Sequence, residues 1–262
     1  MSAEQYDYLF KMNPHERDNH IEFDEPTHVY TIDGDSNYMS VTTFNHSNFE
    51  HFNADKIIAN MMNSKYWHKN KYYGQTADEI KAGWDANRDN ASAAGTAMHL
   101  DIEKFYNEVA VSNDSIEFQY FMNFWDKYKD KLKPWRTEMM VWDSEYRLAG
   151  SIDMIYEHPD GELAIYDWKR CKEIKKINGF NKWGQKECIE HLPDSNFWHY
   201  SLQLNTYKYL IEKNYGKKVK DMYLVCLHPD NKNNNYLRIE VGDLSKEVGD
   251  LLQLRKDSLN TS

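Results

Sequence analysis

Between Gly150 and Arg170 the chain reads GSIDMIYEHPDGELAIYDWKR, and this stretch limits the possible folds more than any other. Two apolar and aromatic runs, Ser151–Tyr156 and Glu162–Lys169, flank a segment in which Pro159, Asp160 and Gly161 supply turn chemistry. The pattern predicts a β-hairpin. Side chains alternate between faces along a strand, so Ser151, Asp153 and Ile155 share one face of the first strand. Leu163, Ile165, Asp167 and Lys169 share one face of the second. With Tyr156 paired to Glu162, Asp153 faces Ile165 and Asp167 lies one diagonal step away, roughly 7–8 Å at the backbone. Two carboxylates so placed repel each other and resist burial. A divalent cation between them answers both problems. The inference depends on register, because a one-residue slip turns the charged set to the opposite face.

Composition sets the wider frame. A chain of 262 residues, 40% of them hydrophobic, is long enough for one large domain or one domain with a lobe. The net charge of -10 excludes a strongly basic binder of nucleic acid. It does not exclude a protein whose carboxylates hold a metal and whose basic residues are local. Such a local cluster follows the hairpin: Lys169, Arg170, Lys172, Lys175, Lys176, Lys182 and Lys186. As a solvated charged loop it needs no function. Aromatic residues make up 15%, which suits a base-stacking groove but also simply fills cores. Cys171, Cys188 and Cys226 are odd in number and far apart, so the pattern is no disulfide framework, zinc ribbon or iron–sulfur site. The first twenty residues lack the apolar core of a secretory signal, and no apolar run reaches membrane-spanning length. The expectation is a soluble, intracellular chain in a reducing compartment, with no membrane partner.

Along the chain, His28–Phe44 reads as a hairpin turning near Gly34 and Asp35, and Asn53–Met62 as a helix. Thr76 and Glu79 form a capping box for a further helix that continues through Phe105 with a break near Asn90. Ser115–Leu132 is amphipathic and ends before Pro134. The period then changes to strands: RTEMMVWD, YRLAGSIDMIY and ELAIYDWKR form a meander. A helix from Asn196 closes at Gly216, DMYLVCLHP and NYLRIEV add two strands, and Leu244–Leu254 is a last polar helix. The fold class is α/β. Residues 1–90 form an N-terminal hairpin and helical portion packed on a core of residues 91–262, the whole one continuous domain.

Four further places carry candidate chemistry. His99, in GTAMHLDIEKF, stands at the edge of an apolar helix face, one turn from Glu103; this HxxxE spacing could bring two metal ligands together, although a lone histidine there is more often structural. Glu138, among the apolar residues of RTEMMVWD, needs a partner or water. Gln203 and Tyr207 are one helical turn apart; Gln203 could donate to phosphate or hold a catalytic side chain, and Tyr207 could stack or hydrogen-bond. Arg170 and Lys172 begin the basic cluster.

In chain order, GTAMH, Glu138, GSID, YDWK and QLNTY closely resemble the PD-(D/E)XK nuclease superfamily, specifically its RecB-like branch of phage and viral exonucleases and the mitochondrial genome maintenance exonuclease. The resemblance spans roughly Ala94–Tyr209. Ile152-Asp153 replaces the literal PD dipeptide, and the cysteines that bind an iron–sulfur cluster in some relatives are missing. The resemblance implies a restriction-endonuclease-like core, with a central mixed sheet flanked by helices and a helical N-terminal portion. It implies that Asp153 and Asp167 hold Mg²⁺ or Mn²⁺ together with His99 and the Trp168 carbonyl, with no iron–sulfur cluster. By the same resemblance Lys169 would be the lysine of the catalytic pair and Glu138 a supporting acid. The resemblance implies that Gln203 and Tyr207 help position substrate and lysine, and Arg170 and Lys172 are expected to bind substrate. The implied activity is metal-dependent hydrolysis of DNA, as an exonuclease on ends or single strands in replication, recombination or repair. The alternatives are a structure-specific endonuclease or RNase of the same fold, or a non-catalytic nucleic-acid-binding protein. The motif style and small size suit a phage or a large DNA virus.

Overall fold

The computed structural model describes residues 7–261. In chain order the elements are α1 (Tyr8–Met12), β1 (Ile21–Asp24), β2 (Val29–Ile32), β3 (Met39–Ser40), α2 (Val41–His46), α3 (Ala54–Met62), α4 (Ala77–Tyr106), α5 (Ile116–Tyr128), β4 (Lys133–Asp143), β5 (Leu148–Glu157), β6 (Leu163–Lys169), α6 (Asn196–Asn214), β7 (Val219–Cys226), β8 (Leu237–Glu240) and α7 (Ser245–Asn260). Two compact units are present. One comprises the chain up to Glu50 together with everything from Met98 onward; the other is His51–Ala97.

The first unit is built on a mixed six-stranded sheet in the order β3-β5-β6-β7-β8, with β4 paired to the other side of β5. β4, β5 and β6 form the antiparallel meander that the sequence predicts. β6 and β7 run parallel, which requires a long crossover; α6 supplies it. On one face, Leu204, Tyr207, Leu210 and Ile211 of α6 share a core with Ile155, Leu163, Ile165 and Leu224. On the other, Met98, Ile102 and Tyr106 of α4 and Phe118, Phe121 and Phe124 of α5 pack with Met154, Tyr156, Ala164, Tyr166 and Trp168. The helices thus lie on both faces of the sheet, as expected. In the second unit, Thr76 and Glu79 form the anticipated capping box, with Glu79 N donating to Thr76 Oγ1 and Thr76 N to Glu79 Oε2. Within it Lys81 pairs with Asp55 at 2.7 Å and Trp84 donates to the Tyr72 hydroxyl.

Three expectations need correction. The hairpin near the N-terminus is β1–β2, joining Ile21 to Ile32 and Asp24 to Val29, and not His28–Phe44. The run VTTF, for all its β-branched residues, is the start of α2, because Ser40 caps it by accepting from Thr43 N at 3.0 Å. The helix predicted to break near Asn90 is continuous from Ala77 to Tyr106. The central hairpin keeps its predicted faces but not its register: Glu157 pairs with Leu163 and Ile155 with Ile165. His158 N donates to Glu162 O at 2.8 Å and Gly161 takes a φ of +85°, so the loop closes one residue later on each strand. A shift of two residues preserves every face and brings the two aspartates nearer.

Candidate active site

The β5–β6 ladder runs from Glu157↔Leu163 to Met154↔Tyr166. One step further in that register Asp153 stands opposite Asp167, and there the strands part. Separation leaves the backbone N–H and C=O of Trp168 without partners on β5, and buried backbone groups must find others. Trp168 N donates to Asp153 Oδ2 at 2.9 Å, and the Trp168 carbonyl accepts from His99 Nε2 at 2.9 Å. The same event therefore fixes the aspartate of β5 and the imidazole of α4.

With Nε2 engaged, His99 presents Nδ1 to two acids, 3.6 Å from Asp153 Oδ2 and 3.8 Å from Glu138 Oε1. Glu138 lies between Thr137 and Met139, which pair with Met154 and Ile152, so it sits beside Asp153 on the neighbouring strand. Its φ is +42°, a left-handed conformation inside a strand. Ser151 Oγ holds its other oxygen at 2.7 Å. Across the site, Lys169 Nζ lies 2.7 Å from Asp167 Oδ2 and 4.4 Å from the centre of the Tyr200 ring. Gln203 Nε2 donates to the Tyr207 hydroxyl at 3.4 Å, and the Tyr207 ring lies so close to β5 that only a glycine fits at position 150. The side chains of Asp167, Asp153, His99 and Glu138 are 4%, 12%, 29% and 33% exposed, so the site opens to solvent on the His99–Glu138 side.

The sequence profile of the PD-(D/E)XK nuclease superfamily matches residues 115–257, over half of the chain. The chain belongs to that superfamily. It is also similar in structure to SSO0001, at 13% identity over 87% of this chain and 77% of the other, with a TM-score of 0.40. A candidate exonuclease from Eubacterium rectale aligns over 86% and 79% at 11% identity, with a TM-score of 0.39. No curated protein matches the chain.

Superfamily membership implies a hydrolytic nuclease with a nucleic-acid substrate, and nucleases of this kind generally use divalent metal ions. The donors fit such an ion. One atom each from His99, Glu138 and Asp153 lie within 4.8 Å of one another, a set of one nitrogen and two carboxylates. Buried Asp167 Oδ2 lies 2.7 Å from the Lys169 ammonium, on the same strand face as the donor set. Burial works against charge on His99, but Asp153 and Glu138 outweigh it and raise its pKa to about 9. Burial pushes Asp153 up to about 7, with Asp167 and Glu138 adding to the rise against the pull of His99. Burial opposes the charge of Lys169, yet Asp167 and Asp153 hold its pKa above the usual lysine value.

Of the residues singled out in the sequence, His99, Glu138, Asp153, Asp167, Trp168 and Lys169 come together, Tyr207 lies against β5, and Gln203 is bonded to Tyr207. Asp167 falls outside the tight donor group, as does Glu103, the partner that HxxxE suggested. Arg170 is tied to Glu117 at 2.7 Å and Lys172 to Asp230 at 2.9 Å. Ser151, Tyr200 and Tyr30 were not foreseen. Tyr30 is buried close enough to Glu138 and Asp153 for their charges to reinforce the rise that burial imposes on its pKa. Ser151 could have been found from its place on the Asp153 face; Tyr30 and Tyr200 carry no sequence signal. Among the described residues no helix is long and apolar enough to cross a membrane.

Proposed function

We propose that this protein is a metal-dependent deoxyribonuclease of the RecB-like branch, acting as an exonuclease on DNA ends or single strands in replication, recombination or repair. The observation that carries the reading is the pairing of one face, Asp153, Asp167 and Lys169, with His99 and Glu138 at the point where β5 and β6 separate. Exonuclease mode follows from the resemblance of GTAMH, GSID, YDWK and QLNTY to that branch.

Asp153, Glu138 and His99, with Asp167 and the Trp168 carbonyl at hand, would hold Mg²⁺ or Mn²⁺. Such an ion supplies Lewis-acid stabilisation of charge at phosphorus and an acidified water. The chain's own groups do the rest. Lys169, 2.7 Å from Asp167 Oδ2, is placed to orient the attacking water or to pair with a phosphate oxygen. Ser151 fixes the Glu138 carboxylate, and the Trp168 backbone fixes both Asp153 and His99, so the donors are oriented before substrate arrives. Tyr207 anchors Gln203 one turn from Tyr200 on the side where the scissile strand would lie.

The test compares end-labelled linear with circular single-stranded DNA, each with Mn²⁺, Mg²⁺ or EDTA, beside Asp167→Ala. Degradation of the linear form alone, dependent on metal and abolished by the substitution, is expected. Cutting of the circle makes the enzyme an endonuclease. Activity that survives Asp167→Ala removes the site assignment.

A further inference from the structure

The basic segment that follows β6 is an ordered projection. Asn178 closes it with four hydrogen bonds: its Nδ2 donates to Lys182 O at 2.6 Å and Asp194 O at 3.0 Å, and its Oδ1 accepts from Phe180 N and Lys182 N. Asp194 N returns to Lys182 O at 2.8 Å, and Trp183 bridges to Pro193. Asn181 takes the left-handed φ of +53° that the tight turn requires. This closure leaves large apolar side chains bare at the crest: Phe180 is 82% exposed and Ile177 76%. Scattered exposed apolar residues need no explanation. A pair raised on a hydrogen-bonded turn, with no covering element among the described residues, is different, because the same loop forgoes the burial that either side chain would gain by folding inward.

Two further observations point to what meets this crest. Residues 172–186 contain five lysines and one acid in a chain of net charge -10. Lys175 and Lys182 make exposed ion pairs to Glu173 and Glu50, which a phosphate can displace at little cost. The loop is also fastened to the end of α6 that reaches the site. Lys175 N donates to Asn196 Oδ1, Trp198 Nε1 donates to Lys176 O, and Lys176 Nζ lies 4.6 Å from the Phe197 ring. Less than a turn further along α6 stands Tyr200, against Lys169.

We propose that Phe180, supported by Ile177, is a platform on which an unpaired base of the entering strand stacks, while Lys175, Lys176 and Lys182 track its phosphates. An aromatic ring on a lysine-bearing groove is how single strands are held without reading sequence. In a duplex each base face is already covered by its neighbours, so the platform selects an unpaired strand. The inference rests on the nuclease reading and adds the substrate form.

Binding of an oligodeoxythymidine, an oligouridine and a duplex of equal length is measured by fluorescence anisotropy in EDTA, which prevents cleavage, using the full chain. Phe180→Ala is expected to weaken single-strand binding roughly five- to a hundredfold, with little change for duplex. Phe180→Trp is expected to bind as tightly as wild type, and an abasic oligonucleotide to bind wild type and Phe180→Ala alike. The two single strands distinguish DNA from RNA as the source of the stacked base. Because the side chain is exposed, the fold is not at risk. Equal binding of the single strand by wild type and Phe180→Ala overturns the platform and leaves the nuclease reading intact. Wild type that neither binds the oligonucleotide in EDTA nor cleaves it with Mn²⁺ overturns the nuclease reading itself.

Discussion

Substituting Gly150 by alanine tests how tightly α6 is locked onto the site strands. A Cβ at this position would lie 2.8 Å from Tyr207 Cε1, 3.0 Å from its hydroxyl oxygen and 3.3 Å from Cζ. Ordinary carbon contacts begin near 3.4 Å, so the ring must retreat by about 0.6 Å, and it is buried within the core shared by α6 and the sheet. Overpacking of this kind costs about 1–3 kcal/mol, a fall in Tm of about 3 to 10 °C for a chain of this size. In a Tyr207→Leu background the atoms that collide are gone, and alanine in a strand is no worse than glycine, so Gly150→Ala should cost less than about 0.5 kcal/mol. The four proteins of this double-mutant cycle, followed by urea denaturation, should give a coupling of at least about 1 kcal/mol. Additive effects, with Gly150→Ala equally costly in both backgrounds, would refute the argument that Tyr207 is what excludes a side chain from position 150.

Other expected outcomes concern the buried charges. Arg136 and Asp18 form an ion pair at 2.9 Å with side chains 4% and 5% exposed, so Arg136→Leu should cost about 3–5 kcal/mol and lower Tm by about 10 °C; a change under about 1 kcal/mol would show that the pair is solvated. The raised pKa values of His99, about 9, and Asp153, about 7, mean that the folded metal-free protein binds more protons than the unfolded chain across that range. Stability in EDTA should therefore fall as pH rises from about 4 to about 9, and Mn²⁺, which needs the deprotonated donors, should raise Tm more at the alkaline end. A Tm in EDTA that climbs with pH contradicts this. Glu138→Gln should keep the bond from Ser151 yet weaken Mn²⁺ binding at least about tenfold, read by titration of the metal; unchanged affinity removes Glu138 from the donor set.

What could be read from the sequence was what a period of two imposes. Asp153, Asp167 and Lys169 share a face with Ile155, Leu163 and Ile165 whether the loop closes at Glu162 or one residue later, so the error in register did not disturb the site. The helix at Val41–His46 was hidden because its β-branched residues favour strands locally, while the cap from Ser40 and burial of Val41 and Phe44 decide otherwise. The left-handed turn at Glu138 was also hidden, since glutamate has no preference for that conformation; the neighbouring strand and Ser151 hold it there. The grip of His99 on the Trp168 carbonyl exists only because β5 and β6 part beyond Met154, a consequence of sheet geometry and not of any local pattern. Tyr30 and Tyr200 reach the site through packing of β2 and α6, which no spacing in the chain encodes.

The central claim is that this cluster hydrolyses phosphodiester bonds with a bound divalent ion. The most direct measurement is single-turnover cleavage of end-labelled linear DNA by wild type, Asp153→Asn and Lys169→Met, with Mn²⁺ or EDTA, after circular dichroism has shown the three to be equally folded. The account predicts cleavage by wild type with Mn²⁺ alone and a loss of at least about a hundredfold in each variant. Cleavage by wild type in EDTA, or by Asp153→Asn at the wild-type rate, contradicts it.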